Sequence, residues 1–300
     1  MELIGDNIIL SRDRTKNYIT YKGFDFRLTY LSNTFRGNKG GNSNVFTLFD
    51  PSRVIGDRII KICRAPLAST RPKDINRLKR FEREIESLKM TKSKNFIIEY
   101  YFDDTILIAQ KEFRYYVMEK GDTDLKEHIC NNILTIDDKI SLCRQVLNSI
   151  VELHELGIYH RDIKPDNFFF IGNVWKIGDL GLIAYRHEDN SIDNPNEFVG
   201  PRGWVSPETM NKFLTFQKSM EYEFDCDIDN YSDVFQLGNL FWFIFQGNVP
   251  IGKIQRKDFL LGNDSIFAML MWMINHSKNK RPDIKLLERE FTNIVKKIAA

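Results

Sequence analysis

Residues 160–167 read His-Arg-Asp-Ile-Lys-Pro-Asp-Asn, which sets a basic residue, an acid and an amide at fixed offsets between two apolar runs. The run before them ends in Leu156-Gly157-Ile158-Tyr159, and the run after them, residues 168–171, reads as a short buried strand. A polar loop held between buried elements is where a scaffold positions reactive groups. The chemistry these residue types fit is phosphoryl transfer. Asp162 would accept the proton of an attacking hydroxyl, and Lys164 would sit against the transferring phosphoryl oxygens. Asn167 offers a neutral oxygen to a hard cation such as Mg2+. The plain alternative is a charged surface loop in which nothing reacts, and the number of positions specified together argues against it.

Elements that would hold this loop are legible on both sides. Thr135 with acids at 137 and 138 reads as a capped helix start, and Ile140, Cys143, Leu147, Ile150 and His154 recur at helical spacing up to Gly157. His154 reads as part of that packing face. After the loop, residues 168–171 and 174–177 flank Gly172-Asn173, a two-residue hairpin signal. The second strand runs into Asp179-Leu-Gly181, where a carboxylate beside a glycine suits a Mg2+ ligand or a common turn. Upstream, a strand over residues 26–31 precedes a glycine-rich stretch, 37–46, that suits phosphate contact or a flexible hairpin. Residues 58–63 form an apolar strand carrying Lys61, a position where lysines commonly snorkel to solvent. From residue 74 to about 90, Ile75, Leu78, Phe81, Ile85 and Leu88 make a helical stripe that also carries Glu82, Glu84 and Glu86. Residues 229–238 open a helix apolar all round. Residues 1–23 hold two short β-favouring pieces and no evident chemistry.

In this order the parts resemble the eukaryotic-type serine/threonine protein kinase family over about residues 25 to 295. The resemblance implies an α+β, bilobal protein-kinase fold with a small β-rich N-lobe and a larger, mainly helical C-lobe. Its bounds would be an N-lobe of about 25–118, a hinge of about 119–124 and a C-lobe of about 125–300. Residues 1–24 are then an N-terminal extension, a β-hairpin or a strand addition ahead of the main domain. Lys61 would contact the α- and β-phosphates of ATP, with Glu84 as its partner and Glu82 or Glu86 as alternatives. Aligned on Val45, the phosphate-covering loop keeps only its middle glycine, Gly40. Asn38 and Ser43 replace the outer two glycines, and Gly37 and Gly41 are displaced by one position. Gly40, Gly41, Ser43 and Val45 are the candidate contacts there. Ile59 stands where the family usually has alanine and would narrow the adenine pocket. Backbone groups from Glu119 to Gly121 would bind the adenine edge, Met118 would guard the back pocket, and Asp124 would take a ribose hydroxyl unless it is simply a turn aspartate.

The same resemblance assigns Asp162, Lys164 and Asn167 to catalysis, and Asn167 with Asp179 to Mg2+. Leu180 replaces the family's phenylalanine after that aspartate. Residues 200–208 resemble the end of the activation segment, with Glu208 pairing Arg281, while Asp233 would hydrogen-bond the catalytic-loop backbone. Pro201 and Trp204 look closer to the tyrosine-kinase form, whereas Lys164 belongs to the serine/threonine pattern. Within 182–200, Tyr185 and Ser191 are phosphorylatable, and Glu188, Asp189, Asp193 and Glu197 are acidic. One acid, Glu197 first, is expected to pair with Arg161 in place of a phosphate. The implied function is transfer of the γ-phosphate of ATP, with Mg2+, to serine and threonine hydroxyls of proteins, including autophosphorylation. One alternative is a pseudokinase scaffold, against which Lys61, Asp162 and Asp179 are all present. The other is a kinase-like small-molecule phosphotransferase, whose members typically have glycine where Arg161 stands.

Composition bounds the partners. With 42% hydrophobic and 28% charged residues and a formal net charge of +2, the chain gives no electrostatic argument for nucleic acid or a membrane surface. The partners expected are protein substrates. Residues 237–245 are the most apolar run, too short to span a bilayer. The four cysteines are widely spaced without a C-x-x-C pair, which suits a reducing cytosol. The first residues lack the basic and apolar regions of a signal peptide, so a cytoplasmic location is expected.

Overall fold

The structure is a computed structural model that describes residues 1–31, 41–53, 55–187, 192–193, 197–214 and 224–299. Two compact units divide the chain. One comprises Met1–Ser93 with Ile98–Lys120, and the other Lys94–Ile97 with Gly121–Ala300.

The first unit begins with a small hairpin of β1 (Glu2–Ile4) and β2 (Asn7–Ile9). There follow β3 (Tyr18–Tyr21), β4 (Phe24–Thr29), β5 (Ser43–Phe49), β6 (Arg58–Pro66), helix α1 (Pro72–Met90), β7 (Tyr100–Ile108) and β8 (Lys111–Met118). They make an antiparallel sheet in the order β3-β4-β5-β6-β8-β7. In β4, Phe26 and Leu28 point to the core and Asp25, Arg27 and Thr29 point out, as the two-residue period of a strand requires. Phe46, Leu48, Ile60, Ile62, Phe113, Tyr115 and Val117 complete that core, and Ile8 and Ile19 belong to the same cluster. Residues 1–24 are thus built into the unit: β3 is an edge strand of its sheet, and β2 sends Ile8 into its interior.

Helix α1 departs from its expected stripe in its first turns. Ile75 is 39% exposed, while Asp74, Arg77 and Arg80 are buried, so the inward face is ionic before it becomes apolar at Phe81, Ile85 and Leu88.

The second unit contains α2 (Leu125–Asn131), α3 (Ile136–Glu155), β9 (Ile158–Tyr159), β10 (Phe168–Ile171), β11 (Val174–Ile177), β12 (Ala184–Tyr185), α4 (Pro207–Leu214), α5 (Asn230–Gln246), α6 (Asp264–Met273) and α7 (Ile284–Ala299). A reciprocal cap of Thr135 and Asp138 starts α3, and its expected stripe is buried. Gly172 and Asn173 both take positive φ, 54° and 67°, the backbone a tight β10–β11 turn needs. Asp229 caps α5, whose Val234, Leu237, Leu240, Phe241 and Ile244 are buried. Among the described residues no helix is long and apolar enough to cross a membrane.

Candidate active site

In the first unit, Lys61 sits mid-strand in β6, paired with Val45 on β5 and Tyr116 on β8. Its ammonium donates to Glu84 Oε1 at 2.8 Å, and both side chains are almost wholly out of water. Such a pair persists only with close geometry, because both charges have lost their hydration. The arrangement selects one of the three candidate glutamates. Glu82 is held by Arg114 at 2.8 Å, and Glu86 is exposed.

Around Lys61, Ser43 is buried at the start of β5 and Gly41 is exposed just before it. Gly40, Gly37 and Asn38 lie outside the described residues. Ile59 and Met118 are direct partners across β6 and β8, and both are buried. The Glu119 N–H donates to the Glu99 carbonyl at 3.0 Å, and the Glu119 carboxylate accepts from the Glu99 N–H at 2.9 Å.

The second unit opens with residues 121–124 pairing onto β10: the Asp122 N–H donates to the Phe170 carbonyl at 2.9 Å, and the Phe170 N–H to Thr123 at 3.0 Å. Glycine is required at 121 because a Cβ there would lie 2.8 Å from the Phe169 Cβ. Asp124 caps α2 by accepting from the Glu127 N–H at 2.8 Å, which commits one carboxylate oxygen to the helix.

The loop of residues 160–167 is suspended from α5. Asp233, fully buried, accepts from the N–H groups of His160 and Arg161 at 2.7 Å each and lies 2.9 Å from His154 Nε2. One turn on, Gln236 accepts from the Ile163 N–H at 2.7 Å and donates to the Arg161 carbonyl at 3.1 Å. His154 therefore belongs to the polar network as well as to the packing face of α3. Gln236 was missed in the sequence reading, although a glutamine inside an all-round apolar helix is itself a signal. Within the loop, the Asp162 N–H donates to His160 Nδ1 at 3.2 Å, which leaves His160 Nε2–H to donate to the Gly178 carbonyl at 3.1 Å. That bond ties the loop to the segment bearing Asp179.

Two side chains converge on the Asp162 carboxylate. Lys164 Nζ donates to Oδ2 at 2.7 Å, and Asn167 Nδ2 donates to the same oxygen at 2.9 Å and to the Asp162 carbonyl at 2.8 Å. Burial pushes the Asp162 carboxyl above its ordinary value; the Lys164 charge opposes this and the Asp179 charge adds to it. Asp179 has a φ of 57°, and Leu180 beside it is buried.

Asn167 spends its amide nitrogen on Asp162, so its carbonyl oxygen is the group it can offer a cation. Asp179, close enough to Asp162 to be felt electrostatically, adds a carboxylate. Among the described residues no cluster of three His, Cys, Asp or Glu side chains gathers as a protein-only cage. Two oxygen donors with the remainder left to water and phosphate fit Mg2+, which keeps most of its shell outside the protein.

Arg161, itself at φ 64°, grips the segment that follows Asp179. It donates to the Leu182 carbonyl at 2.6 Å and reaches Asp193 through both prongs of its fork, at 2.8 and 3.0 Å. This corrects the order of expectation, which placed Glu197 first: Asp193 takes both prongs. Glu188, Asp189 and Ser191 lie outside the described residues. Glu208 and Arg281 form a buried double bridge at 2.7 and 3.0 Å, with the Ser232 hydroxyl donating to Glu208 at 2.7 Å. Burial opposes ionisation of Glu208, but Arg281 and Ser232 outweigh it and hold the carboxyl below its ordinary value.

A buried lysine–glutamate pair, a His-Arg-Asp loop hung from a helix, and an aspartate after a hairpin are the parts of a phosphotransfer fold. Comparison with known proteins agrees. Residues 57–300 match the protein kinase domain family, and the chain belongs to it. It is similar to the serine/threonine-protein kinase PrkC of Bacillus subtilis, 30% identical over 218 residues, covering 70% of this chain and 29% of that protein. It is also similar to the serine/threonine-protein kinase cds1 of Schizosaccharomyces pombe, 28% identical over 176 residues, or 58% of this chain and 35% of that one. A third relative is the dual specificity protein kinase TTK of Mus musculus, 24% identical over 217 residues, 72% of this chain and 24% of that one. The chain thus spans about a third or less of the length of these curated relatives.

Proposed function

We propose that this chain transfers the γ-phosphate of ATP to serine and threonine hydroxyls of proteins, itself included. The observation that carries the reading is Asp162, buried and gripped by Lys164 and Asn167 through one carboxylate oxygen. In the proposed step the acceptor oxygen bonds to the γ-phosphorus, the bond to the β–γ bridging oxygen breaks, and the hydroxyl proton passes to Asp162. Burial, by raising the Asp162 pKa, makes it a better proton acceptor than an exposed aspartate. Lys164 is placed to offset charge on the phosphoryl oxygens, and Lys61, held by Glu84, is assigned the α- and β-phosphates. Mg2+, with Asn167 and Asp179 as its protein ligands, supplies neutralisation of phosphate charge when bound. Gly41, Ser43, Val45 and the backbone from Glu119 to Gly121 are the proposed contacts for the rest of the nucleotide. Lys164 and the serine/threonine kinases among the relatives favour serine and threonine as acceptors.

We also infer a reducing, cytoplasmic setting, supported by four free cysteine thiols. The test of the main reading is transfer of labelled γ-phosphate to a protein mixture, comparing wild type with Asp162→Ala. Phosphoserine and phosphothreonine that disappear in the variant are expected. Equal silence on proteins with turnover of a small alcohol would reassign the acceptor.

A further inference from the structure

The β1–β2 hairpin reaches two elements that bear on Lys61. Its tip is a two-residue turn, Gly5 at φ 60° followed by Asp6. Asp6 Oδ1 accepts from Arg71 Nη2 at 2.9 Å, and Oδ2 accepts from Arg77 Nη1 at 3.2 Å. Both arginines continue to Asp74, from Arg71 Nε at 2.6 Å and Arg77 Nη1 at 3.5 Å. Asp6, Arg71, Asp74 and Arg77 therefore alternate in charge around the start of α1, which explains why its first inward turns are ionic. In the middle of β2, Ile8 is buried in the core, and its N–H donates to Asn44 Oδ1 at 3.1 Å. Asn44 directly precedes Val45, which pairs with Lys61 across β5 and β6.

The placement along α1 gives this contact leverage. Arg77 lies two helical turns before Glu84 and on the same side of the helix. Just before Glu84 the helix is tied by the Glu82–Arg114 bridge, and beyond it by Lys89 to Asp103 at 2.6 Å. Glu84 thus sits between ionic anchors. Those at 82 and 89 come from the sheet, and the earliest one comes from residue 6.

We propose that the β1–β2 hairpin is a built-in positioning clamp, with Asp6 holding the first turns of α1 so that Glu84 stays on Lys61. Its consequence for turnover rests on the phosphotransfer reading; the clamp itself does not. Without Asp6, Arg71 and Arg77 keep only Asp74, and the start of α1 loses its link to the hairpin and through it to β5.

The experiment compares wild type, Asp6→Asn and Asp6→Glu in the full chain. It follows hydrogen exchange across α1, the rate at which acetic anhydride acylates Lys61, thermal unfolding, and kcat/KM for ATP. Asp6→Asn should speed exchange over residues 73–84 and acylation of Lys61. Its kcat/KM for ATP should fall about fivefold or more, the size of a modest coupling between sites. Its unfolding temperature should stay within about 2 °C of wild type, as for a part-exposed pair. Asp6→Glu, which keeps the charge, should restore all three. Unchanged exchange and acylation in Asp6→Asn would overturn the clamp, as would a uniform loss of stability with no change specific to α1. A wild type silent in transfer would overturn the phosphotransfer reading alone, because exchange and acylation would still decide the clamp.

Discussion

Asp162 keeps a charge in a place that resists it, and its chemistry and its cost follow from the same burial. Its carboxyl is held above the ordinary value, so the folded protein binds that proton more tightly than the unfolded chain does. The resulting loss of stability is fully present above the folded pKa, shrinks as pH falls through it, and vanishes below the unfolded value. Asp162→Asn should therefore unfold at a higher temperature than wild type at pH 7. The gap should close as the pH approaches the carboxylate range, while transfer is lost at every pH. Thermal scans across that range check it. Lys61 and Glu84 present the complementary case, a buried pair in which each charge depends on the other. Lys61→Ala should cost about 3 kcal/mol by stranding Glu84, and Lys61→Met with Glu84→Leu should recover most of that stability without restoring activity. Denaturant unfolding of the single and double variants measures both. Asp162 was legible as an acid set with an amide in a loop between buried runs, whereas Lys61, in a place where lysines commonly snorkel, and Glu84 were named through the family resemblance.

Elements show what sequence spacing does not carry. Helix α5 supports the catalytic loop through Asp233 and Gln236, residues more than 70 positions away from their partners, as the separations of 72 to 75 show. Asp233 was readable through the family pattern, whereas Gln236 and the second role of His154 depend on tertiary neighbours. The same holds for Arg161. Four acids in the following loop were chemically equivalent as partners, and only the path of the chain selects Asp193. Asp193→Asn should leave a buried guanidinium without its counter-charge, at about 3 kcal/mol, and should lower transfer by unphosphorylated protein. Glu197→Ala should leave transfer near wild type. Initial rates of the two variants make the comparison. Helix α5 also meets α6 closely at Gly238, where a Cβ would come 2.7 Å from Ile274 Cγ2 and 2.8 Å from Met273 Cβ. Gly238→Ala should cost about 1–3 kcal/mol through overpacking, read from the denaturation midpoint.

At the scale of the molecule, several strands and helices followed from periodicity, caps and turn chemistry, and their overall order from the family resemblance. The capped start of α3 and the Gly172-Asn173 turn are local signals, and each appears where its residues place it. Two features were not local. The first turns of α1 read as an apolar stripe from Ile75 but bury Asp74 and Arg77 instead, because Asp6, 65 and 71 positions from its two arginines, supplies their counter-charge. Residues 1–24 read as a hairpin or added strand and supply both, but their contribution to the core is visible only once Ile8 and Ile19 meet Phe26 and Phe102.

The central claim is that this chain transfers phosphate through Asp162 from a catalytic loop already braced by Asp193. The most direct measurement is the time course of γ-phosphate transfer from ATP by phosphatase-treated wild type, with Asp162→Ala alongside and phosphoamino-acid analysis of the products. A linear course from the first time point, phosphoserine and phosphothreonine as products, and no transfer in the variant are expected. A wild type as silent as Asp162→Ala would contradict the enzyme itself. A lag that disappears after preincubation with ATP would contradict the role given to Asp193.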